Sequence, residues 1–264
     1  MRLLNGAEMT SYIKERQAKQ VRALRQADHI YPRLVIVVAK KDAASNTYIR
    51  LKKDYGKDIL VDVEEHQVSQ AEVSDKISQL SGRQDIHGII VQLPLEDPSK
   101  TDEIVQKIAP EKDVDGLGSD VNFYPATPTA IDWLLTGYNI DTKNSKIVIV
   151  GNGRLVGQPL YKLWLGAGRN VSVIDEGDDL LAELRNADII VTATGQPGLI
   201  KSELIPVGAT VVDAGVSIKD DKIYGDVDDA VYDRDDLTIT PKVGGVGPLT
   251  VAALFENVIR SARP

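Results

Sequence analysis

No cysteine occurs among the 264 residues, which excludes disulfides, thiolate metal sites and cysteine nucleophiles. Histidine is scarce, and His29, His66 and His87 lack metal-ligand spacing; structural or surface roles are expected for them, and no metal. No apolar run approaches the roughly 20 residues of a spanning helix, and the opening MRLLNGAEMT soon turns polar. The expectation is a cytoplasmic chain with no membrane partner. Positive charge is short as well: 31 Lys and Arg against 39 Asp and Glu leave a net −8, with no basic stripe to offset it. Nucleic-acid phosphates need a positive field, so a nucleic-acid partner is excluded. What is present, 42% hydrophobic and 27% charged residues, is the make-up of a globular protein long enough for one large domain or two ordinary ones.

Periodicity favours two domains of α/β class. Apolar runs at 34–39, 88–93, 146–151, 171–174, 188–195 and 209–215 are predicted as strands covered on both faces, the pattern of a parallel sheet. Helical stretches lie between them: ASNTYIRLKKDYG, VSDKISQLS, TDEIVQKIA, VGQPLYKLWLGAG and LLAELRNA. Trp133 and Trp164 sit in helical apolar patterns and are expected in the core. Between about Asp113 and Thr129, DVDGLGSDVNFYPATPT is rich in Gly, Pro, Asp and Asn and marks a seam. The domains are therefore placed at 1–120 and 121–249. The final helix, 250–264, with Val251, Leu254, Phe255, Val258 and Ile259 on one stripe, needs a partner surface, and it either crosses back to the first of them or caps the second. KDDKIYGDVDD reads as a short hairpin arm, and DDAVYDRDD as a solvated loop or helix start.

Two places carry chemistry. In TYIRLKK, Tyr48 and Lys52 are four residues apart, so a helix leans both side chains from one face into the same space. A lysine lowered by burial can take and return protons near neutral pH, whereas an exposed one only solvates a helix face. In the second half, VIVGNGRLVGQP leaves a strand at Gly151, passes Asn152, Gly153 and Gly157 and enters a helix. Glycine there lets backbone amides approach a pyrophosphate, and the helix N-terminus adds partial positive charge. The spacing is G-x-G-x-x-x-G, a variant of the usual dinucleotide fingerprint. Asp175, followed by Glu176, comes 24 residues after Gly151 at the next strand's carboxyl end, where an acid accepts hydrogen bonds from a ribose 2′-OH.

SNTYIRLKK, GIIVQLPL, PEKDVDG, VGQP, GDVD and GGVGPLT follow in one order along nearly the whole chain. In this the chain resembles the methylenetetrahydrofolate dehydrogenase/methenyltetrahydrofolate cyclohydrolase family. The resemblance implies an N-terminal α/β domain and a Rossmann-type cofactor domain enclosing a cleft, tetrahydrofolate one-carbon derivatives as partners, NAD or NADP as cofactor, and a homodimer through the cofactor domain. The expected activity is oxidation of 5,10-methylenetetrahydrofolate to 5,10-methenyltetrahydrofolate, then hydrolysis to 10-formyltetrahydrofolate. It further implies Lys52 as the central catalytic lysine, Tyr48 as its aromatic partner, Gln92 as the glutamine bonded to the lysine, and Asp115 as the residue holding the pterin. Val91, Leu93 and a loop of Gly244, Gly245, Val246, Gly247 and Pro248 are implied beside the substrate, and Val216 beside the cofactor. By turn chemistry alone, Asp113 would serve the DVDG turn as well as Asp115.

The chain also departs from the family's pattern. Gly151-Asn152-Gly153 stands where many members carry Gly-Arg-Ser, and Asp175-Glu176 where a His-Ser or related pair is usual. A carboxylate near a 2′-phosphate costs about 1 to 4 kcal/mol per pair of unit charges at ~4 Å, so NAD is expected to be favoured over NADP, unless Arg154 reaches the phosphate. Ala126 and Ala130 replace a cysteine and a glycine, the connection from KDVDG to PATP is shorter than usual, and PKVGGVGP brings Lys242, expected in solvent, into its loop. These changes leave two alternatives: an enzyme keeping only one activity, and a non-catalytic nucleotide-binding protein on the same scaffold.

Overall fold

The computed structural model describes residues 1–41, 43–120, 122–219 and 222–264. In chain order its strands are β1 (Arg2–Leu3), β2 (Arg33–Val38), β3 (Asp62–Gln67), β4 (Gly88–Gln92), β5 (Ile147–Val150), β6 (Val171–Ile174), β7 (Ile189–Thr192), β8 (Thr210–Asp213), β9 (Ser217–Lys219), β10 (Lys222–Tyr224) and β11 (Thr238–Ile239). Its helices are α1 (Gly6–Ala27), α2 (Ala43–Ile59), α3 (Val73–Ser81), α4 (Thr101–Val105), α5 (Ala126–Gly137), α6 (Gly157–Gly166), α7 (Leu180–Leu184) and α8 (Val246–Ser261). They fall into two compact units, residues 11–126 with 251–264, and residues 1–10 with 127–250.

In the first unit, three parallel strands run in the order β3-β2-β4. Central β2 is continuously apolar because both its faces are covered, and Leu34 to Val38 are fully buried. Edge strand β3 reads DVEEHQ and carries charge instead: Glu64 meets Arg33 at 3.0 Å and Arg83 at 3.2 Å, and Glu65 meets Lys53 at 2.6 Å. Such charge guards an unpaired edge. The apolar stripe of α8 is buried as expected, and Phe255 stacks on Tyr55 of α2 with ring centroids 5.2 Å apart. Burying a side chain of that size contributes roughly 1.5–3 kcal/mol.

The second unit holds a parallel sheet in the order β1-β11-β8-β7-β5-β6. The chain passes from β5 to β6 on one side and then to β7 on the other, so the order reverses between β5 and β7. Open α/β sheets bind ligands at the carboxyl ends of such a switch point. Trp164 is fully buried here, with its Nε1 donating to Asp132 at 2.9 Å, whereas Trp133 is only half-buried.

Three expectations change. Residues 1–10 belong to the second unit, not the first, because β1 extends its sheet: Arg2 N donates to Leu237 O and Leu4 N to Ile239 O, both at 2.8 Å. The seam is shorter than expected, since α5 starts at Ala126 and takes in ATPT. The last helix begins at Val246, placing Gly247 and Pro248 in its first turn, where the missing proline N–H costs nothing. At the expected hairpin arm, β9 and β10 pair antiparallel, and Asp220 and Asp221 lie outside the described residues. The acidic stretch near 230 forms a 3-10 turn, Asp229–Asp233, capped by Asp228.

Candidate active site

The geometry of the first unit collects Tyr48, Lys52, Gln92 and Asp115. Tyr48 and Lys52 lie one turn apart on α2, and Gln92 ends β4, whose side chains alternate between faces. That alternation sends Val91 into the core, 3% exposed, and turns Gln92 the other way. Val91 is part of the core cluster of this unit, and Leu93 packs partly against the same cluster. Lys52 Nζ donates to Gln92 Oε1 at 2.9 Å, while Gln92 Nε2 donates to Leu93 O at 3.1 Å, ahead of the cis Leu93–Pro94 bond. The amide is thereby oriented, with its acceptor toward the lysine.

Asp115 enters through a built loop. Ile89 N donates to Lys112 O at 2.8 Å, laying KDVDG along β4. Lys112 Nζ donates to Ser81 O at 2.7 Å and Arg83 O at 2.6 Å, a cation on the carbonyls that end α3. The turn chemistry goes to Asp113, whose carboxylate accepts from Gly116 N at 3.1 Å and Gly118 N at 2.7 Å. Asp115 is left to face Lys52. Burial lowers the lysine, and the Asp115 charge opposes that; burial raises Asp115, and the Lys52 charge opposes that. Burial also raises the Tyr48 phenol.

In the second unit the glycine loop leaves β5 at the switch point. Gly151 has φ +99°, and a Cβ on Gly157 would stand 1.8 Å from Gly151 O, so α6 starts against the turn with no room for a side chain. At Gly153 the nearest atom to an added Cβ is Ala193 O at 4.0 Å, leaving that side of the loop open for close approach of a ligand. Val156, the N-cap of α6, provides no side-chain cap; Gln158 N donates to Gly153 O at 3.1 Å and Pro159 has no N–H, so Gly157 N is the first-turn amide that suits a phosphate. The loop fits a dinucleotide. Asn152 is exposed, and Asp175 and Glu176 are exposed directly after β6. Arg154 is half-buried, and burial lowers its guanidinium. Val216 precedes β9, 44% exposed.

Gly244 to Pro248 also lie in this unit. Gly244 has φ +88°, its carbonyl accepts from Ala7 N at 2.9 Å, and a Cβ on Gly6 would meet Gly245 O at 1.9 Å. Lys242 is exposed, as expected, where it pairs with exposed Asp229 at 2.6 Å and stands 4.9 Å over the Tyr232 ring.

Sequence reasoning did not single out Asp213 or Asp226 as individual residues. Asp213 ends β8 and accepts from Gly215 N at 3.0 Å, Asp226 N at 3.1 Å and Val227 N at 3.0 Å. Asp226 accepts from Thr192 Oγ1 at 2.6 Å and Thr194 N at 2.7 Å. The pair ties together the loops that follow β7 and β8, beside Val216. The signal for Asp226 was the GDVD motif, and for Asp213 only its place at a strand end.

A family model described as the tetrahydrofolate dehydrogenase/cyclohydrolase catalytic domain matches residues 4–115, and one described as the NAD(P)-binding domain of the same family matches residues 125–264. The chain is 35% identical over 278 residues to the bifunctional protein FolD of Nitratiruptor sp., covering 100% of this chain and 98% of that one. It is similar to the solved FolD methylenetetrahydrofolate dehydrogenase/cyclohydrolase of Campylobacter jejuni, with a TM-score of 0.92 at 34% identity, covering 99% and 98% of the two chains. It is also similar to the Trypanosoma brucei dehydrogenase-cyclohydrolase complexed with NADP and an inhibitor, with a TM-score of 0.90 at 28% identity, covering 98% and 96%.

Proposed function

We propose, for a chain that belongs to the tetrahydrofolate dehydrogenase/cyclohydrolase family, that Lys52, Gln92 and Asp115 handle the folate while the Gly151–Gly157 loop holds the nicotinamide cofactor. The chain oxidises 5,10-methylenetetrahydrofolate to 5,10-methenyltetrahydrofolate with NAD(P) and hydrolyses that product to 10-formyltetrahydrofolate.

A bound nicotinamide supplies the hydride acceptor. Loss of hydride asks little acid or base of the protein, because folate nitrogen lone pairs stabilise the developing cation; the residues' task there is positioning. Asp115 suits it, since a carboxylate accepts two hydrogen bonds from an amino-pyrimidinone edge, and the Tyr48 ring, on the same face of α2, offers a flat wall.

Hydration needs proton transfer. Water attacking the methenyl carbon releases a proton, and the folate nitrogen whose bond to that carbon breaks must gain one. Lys52 takes the first and returns the second. Burial enlarges its neutral fraction, and Gln92 holds the amine by a hydrogen bond without adding charge. This bond between Lys52 and Gln92, with Asp115 opposite, is the observation that carries the reading.

The cofactor favoured is NAD. Supporting it are Asp175 and Glu176, two exposed carboxylates directly after β6, where a 2′-phosphate would meet like charge. The assembly we propose is a homodimer through the cofactor unit, with exposed Ile223 and Tyr224 of β10 available to it; light scattering on the purified chain reads this directly. The deciding experiment is a spectrophotometric assay that follows methylene oxidation and methenyl hydrolysis separately. Turnover in both steps supports the reading, and turnover in neither, with cofactor still bound, favours a non-catalytic scaffold.

A further inference from the structure

The C-terminal helix reaches the DVDG loop with one buried polar side chain. Asn257, 5% exposed on α8, donates both protons of its amide, to Val114 O at 2.9 Å and to Tyr124 O at 3.0 Å. Val114 is the residue between Asp113 and Asp115, and Tyr124 lies on the arm by which the same loop leaves. Asn257 therefore bridges the entering and leaving strands of the loop that presents Asp115.

The surroundings leave this bridge little play. A Cβ on Gly88 would meet the Val114 side chain at 2.9 Å and Val258 of α8 at 3.2 Å, so Val114 is wedged between β4 and α8. Gly116 has φ +68°, and a Cβ there would meet Phe123 O at 2.6 Å, so the two arms touch just after Asp115. Asp113 caps this turn from inside the loop. Asn257 is a side chain from outside it whose amide fixes the peptide immediately before Asp115.

We propose that Asn257 is a positioning residue for the folate: by holding the Val114 and Tyr124 carbonyls it sets where the Asp115 carboxylate stands. The inference rests on the reading that Asp115 binds the pterin. An aliphatic side chain of similar volume leaves the buried Val114 carbonyl and the part-buried Tyr124 carbonyl without these donors, and the loop shifts to satisfy them. A displacement of about 1 Å in a binding group costs up to about 100-fold.

The test is a double-mutant cycle of Asn257→Leu with Asp115→Asn, reading KM for methylenetetrahydrofolate, KM for the cofactor and kcat. Asn257→Leu alone is expected to raise the folate KM at least about tenfold and to leave the cofactor KM unchanged. In the Asp115→Asn background the same change is expected to have no further effect, because the group it positions is gone. An equal loss in both backgrounds, or an unchanged folate KM in Asn257→Leu, overturns the proposal by showing a purely structural role. If Asp115→Asn itself leaves the folate KM unchanged, the reading of Asp115 falls and the proposal falls with it. Should the leucine variant not fold, Asn257→Ser, too short to reach both carbonyls, goes through the same cycle with the same expectations.

Discussion

Lys52 Nζ lies 2.9 Å from Gln92 Oε1, the amine coming from the middle of a helix and the amide from the last residue of a strand. The amide faces the amine because its own NH2 is held by Leu93 O, and burial lowers the pKa of the amine. For Lys52→Met the expected outcome is loss of methenyl hydrolysis by about 100-fold or more, the range of a general base. Cofactor binding, read by fluorescence titration, is expected to be retained. Unimpaired hydrolysis would remove Lys52 from the mechanism.

The pH profile carries a second test. Burial lowers Lys52 and the Asp115 carboxylate works against that lowering, so in Asp115→Asn the lysine falls further. The neutral amine then becomes available at lower pH, and the acidic limb of the hydrolysis profile is expected to move down. A limb that stays in place or moves up contradicts the pairing of the two groups.

Gly157→Ala is expected to damage the cofactor loop. Its Cβ would stand 1.8 Å from Gly151 O, a backbone atom that cannot rotate away, and overpacking of this kind costs about 1–3 kcal/mol or more. Thermal unfolding is expected to drop, and the cofactor dissociation constant to rise at least about tenfold. Methenyl hydrolysis, assayed without cofactor, is expected to survive in whatever fraction stays folded.

Cofactor choice is tested at Asp175 and Glu176. Replacing them with Ser and Arg is expected to raise catalytic efficiency with NADP by about tenfold, within the 1–4 kcal/mol span of a charge pair, and to lower it with NAD. Wild-type efficiency with NADP equal to or better than with NAD, at matched concentrations, would end the preference.

Asp213 makes stability depend on pH. Burial pushes its carboxyl up to about 6, against three backbone donors that pull it down. The folded chain then holds this proton more tightly than the unfolded one. The resulting stabilisation is complete below about pH 4 and is lost as the pH rises through 6, by up to about 3 kcal/mol at 1.4 kcal/mol per unit. The difference in unfolding free energy between the wild type and Asp213→Asn is therefore expected to move against the wild type from pH 4.5 to 6.5 and to flatten above 7. Urea unfolding of both proteins across that range measures it.

The strands most legible in the sequence were continuous apolar runs, such as 34–39 and 146–151 in buried strands and 171–174 at a sheet edge, because continuous β-branched runs have few other uses. Edge strand β3 was missed, since DVEEHQ puts its charges into ion pairs rather than its side chains into a core. Helix α1 was missed for a related reason: its buried face includes Gln17, whose Nε2 donates to Ala252 O at 2.9 Å and whose Oε1 accepts from Tyr55 at 2.8 Å. A polar residue satisfied by distant partners breaks the apolar period that a sequence shows.

By itself the sequence determined the α/β class, the glycine loop, the helix carrying Tyr48 and Lys52, and the order of motifs that carries the family resemblance, since each depends on residues near one another in the chain. Only the tertiary structure decided which aspartate of DVDG caps the turn and which faces the lysine, that Val91 joins the core cluster, that the first ten residues join the second unit through β1, and that Asn257 holds the loop from 143 residues away. Those outcomes depend on which groups are buried and which partners reach them across the fold, and neither burial nor long-range partnership has a local signature in the chain.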